Sequence, residues 1–167
     1  MNDYLYIHGG RDIKEGPMGN MWRLSINGVL ELQDDATYGV SWEPVVEKGT
    51  PPGKISHHKA AVFGNQVCIF GGMAGIDGIK DVYEFDVTKN TWSKLKQTGD
   101  VPKPRDDHSL SQMDDTRFII FGGFVDGSRV NECYIATKSG NTLDWQQVGA
   151  ESPQAPCIRA SHSAVYN

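Results

Sequence analysis

The stretches "VCIFGG" (67–72) and "FIIFGG" (118–123) decide the reading of this 167-residue chain, because they are one element written twice. "YLYIHGG" (4–10) is a third copy, with His8 where phenylalanine stands in the other two. Each is a short apolar run ending in paired glycines, as expected of a strand whose end needs φ > 0 and a close backbone approach. Eleven residues after the second glycine come Tyr83 in "DVYEFD" and Tyr134 in "ECYIAT"; in the first copy Trp22 stands twelve residues on. A tryptophan then closes each copy: Trp42, Trp92 and Trp145. A Gly/Pro-rich link follows each time and leads to a histidine. Two of these links read P-x-x-R-x-x-H (Pro102, Arg105, His108 and Pro156, Arg159, His162); the third keeps Pro52 and His58 but has Ile55 in place of arginine.

Each part has a physical reading. The stretch after the histidine is a short strand a, the glycine-ended run is strand b, the Tyr/Trp segment is strand c, and the tryptophan segment is strand d. The large ring of the last fills the gap between neighbouring sheets. Four short antiparallel strands in a repeat of about 50 residues describe one propeller blade. The chain is therefore expected to be all-β, with no apolar pattern of 3.6-residue period long enough for a helix. The first copy is longer, with 32 residues from Gly10 to Trp42 against 20 and 22 in the others, and its "INGV" (26–29) suits a hairpin turn in an extended c–d connection.

The phased glycines, aromatics and P-x-x-R-x-x-H links resemble the kelch repeat over nearly the whole chain. The resemblance implies a kelch-type β-propeller segment of about three four-stranded antiparallel blades. The expected divisions are 1–47, a blade lacking its first strand; 55–97 and 105–149, whole blades; and 159–167 ("RASHSAVYN"), the first strand of a further blade. Three blades are fewer than the four to eight of a closed propeller, and an open arc exposes apolar faces at both ends. Two completions fit: further blades from a longer chain, or a homodimer forming a six-bladed ring by head-to-tail strand exchange. The first is preferred because kelch propellers are normally one chain.

The formal charge of −5 argues against a nucleic-acid or anionic-membrane partner, since either calls for a basic face. No apolar run approaches the length of a membrane span. Cys68, Cys133 and Cys157 are widely spaced with no CxxC pair, and "MNDYLYIHGG" lacks the basic start and apolar block of a signal peptide. A reduced, cytoplasmic setting is the expectation.

His58, His108 and His162 occupy one position of successive repeats, so an anchoring role in the link is expected rather than metal ligation. His8 is expected to be buried, and Arg105 and Arg159 to bond carbonyls or a carboxylate in a neighbouring turn. Some kelch-like propellers are copper oxidases with a Cys–Tyr cross-link; adjacent Cys133 and Tyr134 point to opposite faces of one strand and cannot form it. The iron motif E-x-x-x-D-x-x-x-H of plant specifier proteins is missing, as are G-x-S-x-G, a P-loop and H-E-x-x-H. The expectation is no catalytic residue, no metal and no cofactor.

Binding remains. In kelch-type ubiquitin-ligase substrate adaptors, ligands dock on one end of the ring, against residues after the double glycine and in the link to strand a. By position the resemblance nominates Arg11, Met73 and Phe124 after the glycines, and Ser56, His57, Asp106, Asp107, Ala160 and Ser161 in the links. The balance of charge favours a mixed apolar and basic peptide over an acidic one. The reading is a protein–protein interaction module, a substrate-recognition or scaffold subunit. The alternative is an enzyme or small-ligand propeller completed by missing blades, and a cytoskeletal contact is a third role.

Overall fold

The computed structural model describes residues 4–26, 41–150 and 152–167, and every regular element among them is a strand. In the first blade β1 (Tyr4–His8), β4 (Met21–Ser25) and β5 (Trp42–Pro44) form an antiparallel sheet, with His8 opposite Met21 and Trp22 opposite Pro44. A small hairpin of β2 (Arg11–Asp12) and β3 (Gly16–Pro17) lies between its first two strands, and β6 (Lys48–Gly49) follows. The second blade pairs β7 (Lys59–Phe63), β8 (Gln66–Phe70), β11 (Val82–Asp86) and β12 (Thr91–Gly99) in order, with the hairpin β9 (Met73–Ala74) and β10 (Asp77–Gly78). The third repeats this with β13 (Ser109–Gln112), β14 (Arg117–Phe121), β17 (Cys133–Ser139) and β18 (Thr142–Val148), and the hairpin β15 (Phe124–Val125) and β16 (Ser128–Arg129). All-β blades in the expected phase are thus present. The extension expected around 26–29 falls largely on residues 27–40, outside the described residues.

The small hairpin after each double glycine was not expected from the strand pattern. Its cause is local in the third blade: Asp126 (φ 50°) and Gly127 (φ 77°) both take the left-handed conformation that a two-residue Asp-Gly turn favours.

Neighbouring blades are joined in three recurring ways. The first is through the paired glycines. The N–H of the second glycine donates to the carbonyl of the next link, Gly10 to Ile55 (2.9 Å), Gly72 to Arg105 (2.8 Å) and Gly123 to Arg159 (2.9 Å). The first glycine sits so close to that link that a Cβ on Gly71 would collide with the Arg105 carbonyl and the His108 ring. Each link histidine then sets its ring edge against the last residue of the preceding strand b: His58 on His8 (5.9 Å between centroids), His108 on Phe70 (5.2 Å) and His162 on Phe121 (5.5 Å).

The second is a knob and socket. Trp92 is buried against His8, Met21 and Val45 of the first blade, and Trp145 against Phe70, Val82 and Leu95 of the second. The sockets are repeat-equivalent: the end of strand b, the residue before the strand c aromatic, and the residue three after the tryptophan. The third is backbone pairing between d strands. β6 runs parallel to the start of β12, and the end of β12 runs parallel to β18. Both main apolar clusters therefore lie between blades, one joining the first to the second and one the second to the third.

The link arginine behaves as a strut. The Arg105 side chain is fully out of water; it donates to the Gly122 carbonyl (3.1 Å) and pairs with Glu132 (2.7 Å), 5.1 Å above the Tyr134 ring. Residues 159–167, expected to be the first strand of a further blade, form no strand with the described residues. A ladder needs a partner edge, and no described residue supplies the strand b it would pair with. The segment is held instead by isolated bonds, Ser161 N–H to the Asp107 carbonyl (2.8 Å) and Ser111 Oγ to the Ala164 carbonyl (2.8 Å).

Candidate functional site

The residues nominated from the sequence come together in pairs at the end of the blades that carries the small hairpins. Ser56 and Met73 exchange both backbone hydrogen bonds (3.0 and 2.8 Å), and so do Asp106 and Phe124 (3.2 and 2.8 Å). The link and the hairpin of one blade are thus stitched into a single ledge. His57, Asp107 and Ser161 occupy the same place in successive links, and all three are left-handed, with φ of 62°, 52° and 56°. This conformation is costly for residues with a Cβ. It is offset here by a run of bonds from link to link, Asp107 N–H to the His57 carbonyl (3.3 Å) and Ser161 N–H to the Asp107 carbonyl. Arg11 stands apart. It is exposed in β2 opposite Pro17, and no hydrogen bond or ion pair among the described residues joins it to the others.

Between the hairpins of the second and third blades lies an open groove of about 830 Å³. Met73, Phe124 and Asp106 line it, as do Ile76, Lys80 and Asp126, which the sequence reading did not single out. Ile76 is 91% exposed at a hairpin tip. The signal for these residues was the turn chemistry of "AGID" and "VDGS", which projects them from the ledge. The groove mixes apolar Met73, Ile76, Pro104 and Phe124 with an acidic border of Asp77, Asp106 and Asp126 and one cation, Lys80. Asp106 is half-buried, and burial, reinforced by neighbouring Asp107, pushes its carboxyl up. Lys103 is engaged with Asp126 at 3.2 Å, and Arg129 lies over the Phe124 ring at 4.9 Å. His57 Nδ1 is 2.9 Å from Ser56 Oγ.

The link histidines pack by their ring edges. The anchoring hydrogen bond expected of them is present at His162, to Ser109 Oγ, and missing at His108, whose two ring nitrogens have no partner among the described residues. His108 is completely buried, and its surroundings hold the imidazole down to about 3, chiefly through desolvation and then through Arg105. Among the described residues no group of three or more His, Cys, Asp or Glu side chains is placed to hold a metal ion, and no helix is long and apolar enough to cross a membrane.

Comparison with known proteins agrees with this architecture. The family model "KLHDC2/KLHL20/DRC7 Kelch-repeats domain" matches residues 1–167. Kelch domain-containing protein 3 of Bos taurus is 28% identical over 177 aligned positions, which take in all of this chain and 43% of that protein. Putative adagio-like protein 2 of Oryza sativa is 26% identical, across 98% of this chain and 24% of its own length. Host cell factor 2 of Homo sapiens is 27% identical, across 96% and 23%. The chain thus spans less than half the length of these relatives. The solved structure of YjhT superposes with a TM-score of 0.68 at 16% identity, over 95% of this chain and 52% of that one. Phased glycine pairs, link histidines and inter-blade tryptophans, matched end to end by the family model, place the chain in the kelch-repeat family of β-propellers.

Proposed function

We propose that this chain is a protein-interaction module that takes a peptide segment in the groove between the hairpins of its second and third blades. Membership of a family whose members typically act as interaction modules supports the general role. The single observation that carries the finer reading is the groove itself, in which Met73, Phe124 and Ile76 offer apolar contact beside Asp106 and Asp126. The partner it fits is an extended peptide with an apolar anchor flanked by lysine or arginine. The anchor covers the exposed side chains, and the basic neighbour meets the acidic rim. The blades fix the ledge before binding, through the paired bonds of Ser56 with Met73 and of Asp106 with Phe124, so little ordering is left to oppose association. Such a face serves a substrate-recognition or scaffold subunit.

The test is selection from a displayed peptide library, followed by anisotropy titrations with the wild type, Phe124→Ala and Asp106→Asn. Enrichment of basic–apolar sequences is expected, with affinity falling about tenfold or more in Phe124→Ala. Enrichment of acidic peptides, or binding indifferent to both substitutions, would overturn the reading.

A further inference from the structure

The groove between the second and third blades has a repeat-equivalent in the seam before it. A cavity of about 430 Å³ lies between the hairpin of the first blade and the link that follows, lined by Glu15, Pro17, Met18, Gly53 and Lys54 with their neighbours. The backbone of the two seams matches. Met18 N–H donates to the Gly10 carbonyl (2.9 Å) as Ile79 N–H does to that of Gly72 (2.9 Å). Ser56 bridges to Met73 as Asp106 does to Phe124. The two cavities share one wall, the ledge of Ser56 and Met73, and Ile76 stands at the hairpin tip on that wall.

On this common backbone the two seams carry different charge. By the register of hairpins and links, Asp77, Asp106 and Asp126 of the later seam correspond to Gly16, Ser56 and Gly75 of the earlier one. Pro104, which precedes Arg105, corresponds to Lys54, which precedes Ile55. Three carboxylates are thus lost and an ammonium is gained. In the hairpin and link of the earlier seam Arg11, Lys14 and Lys54 outnumber Asp12 and Glu15. Lys54 is exposed, and among the described residues no hydrogen bond or ion pair engages its ammonium. Met18, also exposed, supplies an apolar contact beside it.

We infer that the peptide continues over the shared wall into the earlier seam, and that this cavity takes an aspartate or glutamate of it against Lys54. The inference rests on the groove of the second and third blades being a peptide site, and it names the class of peptide. The ligand is bipolar: a basic–apolar segment lies on the later seam, and a carboxylate follows on the earlier one. Lys54 is exposed, so its pair with that carboxylate adds little to affinity. The larger effect is discrimination, because a lysine at the same place in the peptide sets like charges together. Two adjacent seams of one backbone thus act as subsites of opposite preference.

Peptides selected on the wild type supply the test. Enriched sequences are expected to carry aspartate or glutamate at one fixed separation from the apolar anchor. Anisotropy titrations then compare such a peptide with the same peptide bearing lysine at that position. The wild type is expected to bind the lysine form about fivefold or more weakly, and Lys54→Glu to reverse that preference. Phe124→Ala is expected to weaken both peptides and keep the preference between them. If no peptide is enriched, or binding ignores Phe124→Ala and Asp106→Asn, the groove reading fails and this inference with it. If the basic–apolar core binds and responds to Phe124→Ala, but the acid brings no preference or a preference that Lys54→Glu leaves unchanged, this inference alone is overturned.

Discussion

The ammonium of Lys138 in the third blade lies 2.9 Å from the Glu84 carboxylate in the second, and both side chains are more than nine-tenths out of water. The same ammonium donates to Gln66 Oε1 and the Gly140 carbonyl, each at 2.8 Å, so its hydrogens are well used. Buried Cys68 lies within reach of this pair; burial first and the Glu84 charge second push its thiol up to about 12. Removing one partner strands the other charge in an apolar seam. Lys138→Met is expected to cost about 3–5 kcal/mol in urea unfolding, and Lys138→Met with Glu84→Leu to recover most of that loss. A double variant as unstable as the single one would show that the pair does more than neutralise itself.

Acid should loosen the blades. Burial holds His8 and His58 down to about 4, against smaller opposing pulls from the Gly19 and His8 backbones respectively, and His108 to about 3. Unfolded, each titrates near its ordinary value of 6.5. The unfolded chain therefore binds more protons between pH 6.5 and about 4, so stability is full above that window and falls as pH descends through it. His8→Phe restores the residue type found at positions 70 and 121, and is expected to flatten this decline while preserving the fold. Denaturation midpoints from pH 8 to pH 4 provide the check.

His108 offers a sharper test of the repeat. His162 Nε2 lies 2.9 Å from Ser109 Oγ, the residue that opens strand a of the preceding blade. The equivalent residue for His108 is Lys59, and neither His108 ring nitrogen has a partner. Lys59→Ser should give the buried imidazole its missing hydroxyl and stabilise the chain by about 0.5–1.5 kcal/mol, read from thermal unfolding. A loss of stability would mean that the Lys59 stem packs usefully against the third blade.

Trp145→Ala empties a socket that is filled in the native chain. The indole is 1% exposed, packs on Phe70 and Phe118, and donates to Gln97 Oε1 at 3.1 Å. A cost of about 3–5 kcal/mol is expected from the cavity and the lost burial. Trp42→Ala, at an indole that is 44% exposed, should cost far less in the 167-residue chain.

The features legible in the sequence were those whose chemistry is tied to one residue type. Only glycine tolerates both the φ and the contact at positions 71 and 72, and only tryptophan fills the space between blades, so both recur in phase. What stayed hidden depends on a partner from another repeat. Glu47 and Gln97, each five residues after a tryptophan, accept from the indoles of Trp92 and Trp145; different residue types do one job, so no motif marks them. The left-handed turns at His57, Asp107 and Ser161 escaped notice because their cost is met by bonds between links rather than by glycine. The final segment carries the repeat's signature without its strand, since a signature records the residues and a strand needs a neighbour.

Because both apolar clusters lie between blades, no blade owns a core, and the middle one contributes to both. The smallest unit able to fold is then a pair of blades, and the chain should behave as a short one-dimensional array with two couplings. Among the described residues, a defect in the first blade reaches the third by way of the second. Among those residues a lesion in the second blade therefore disturbs both clusters at once, while a lesion in the first or the third disturbs only one.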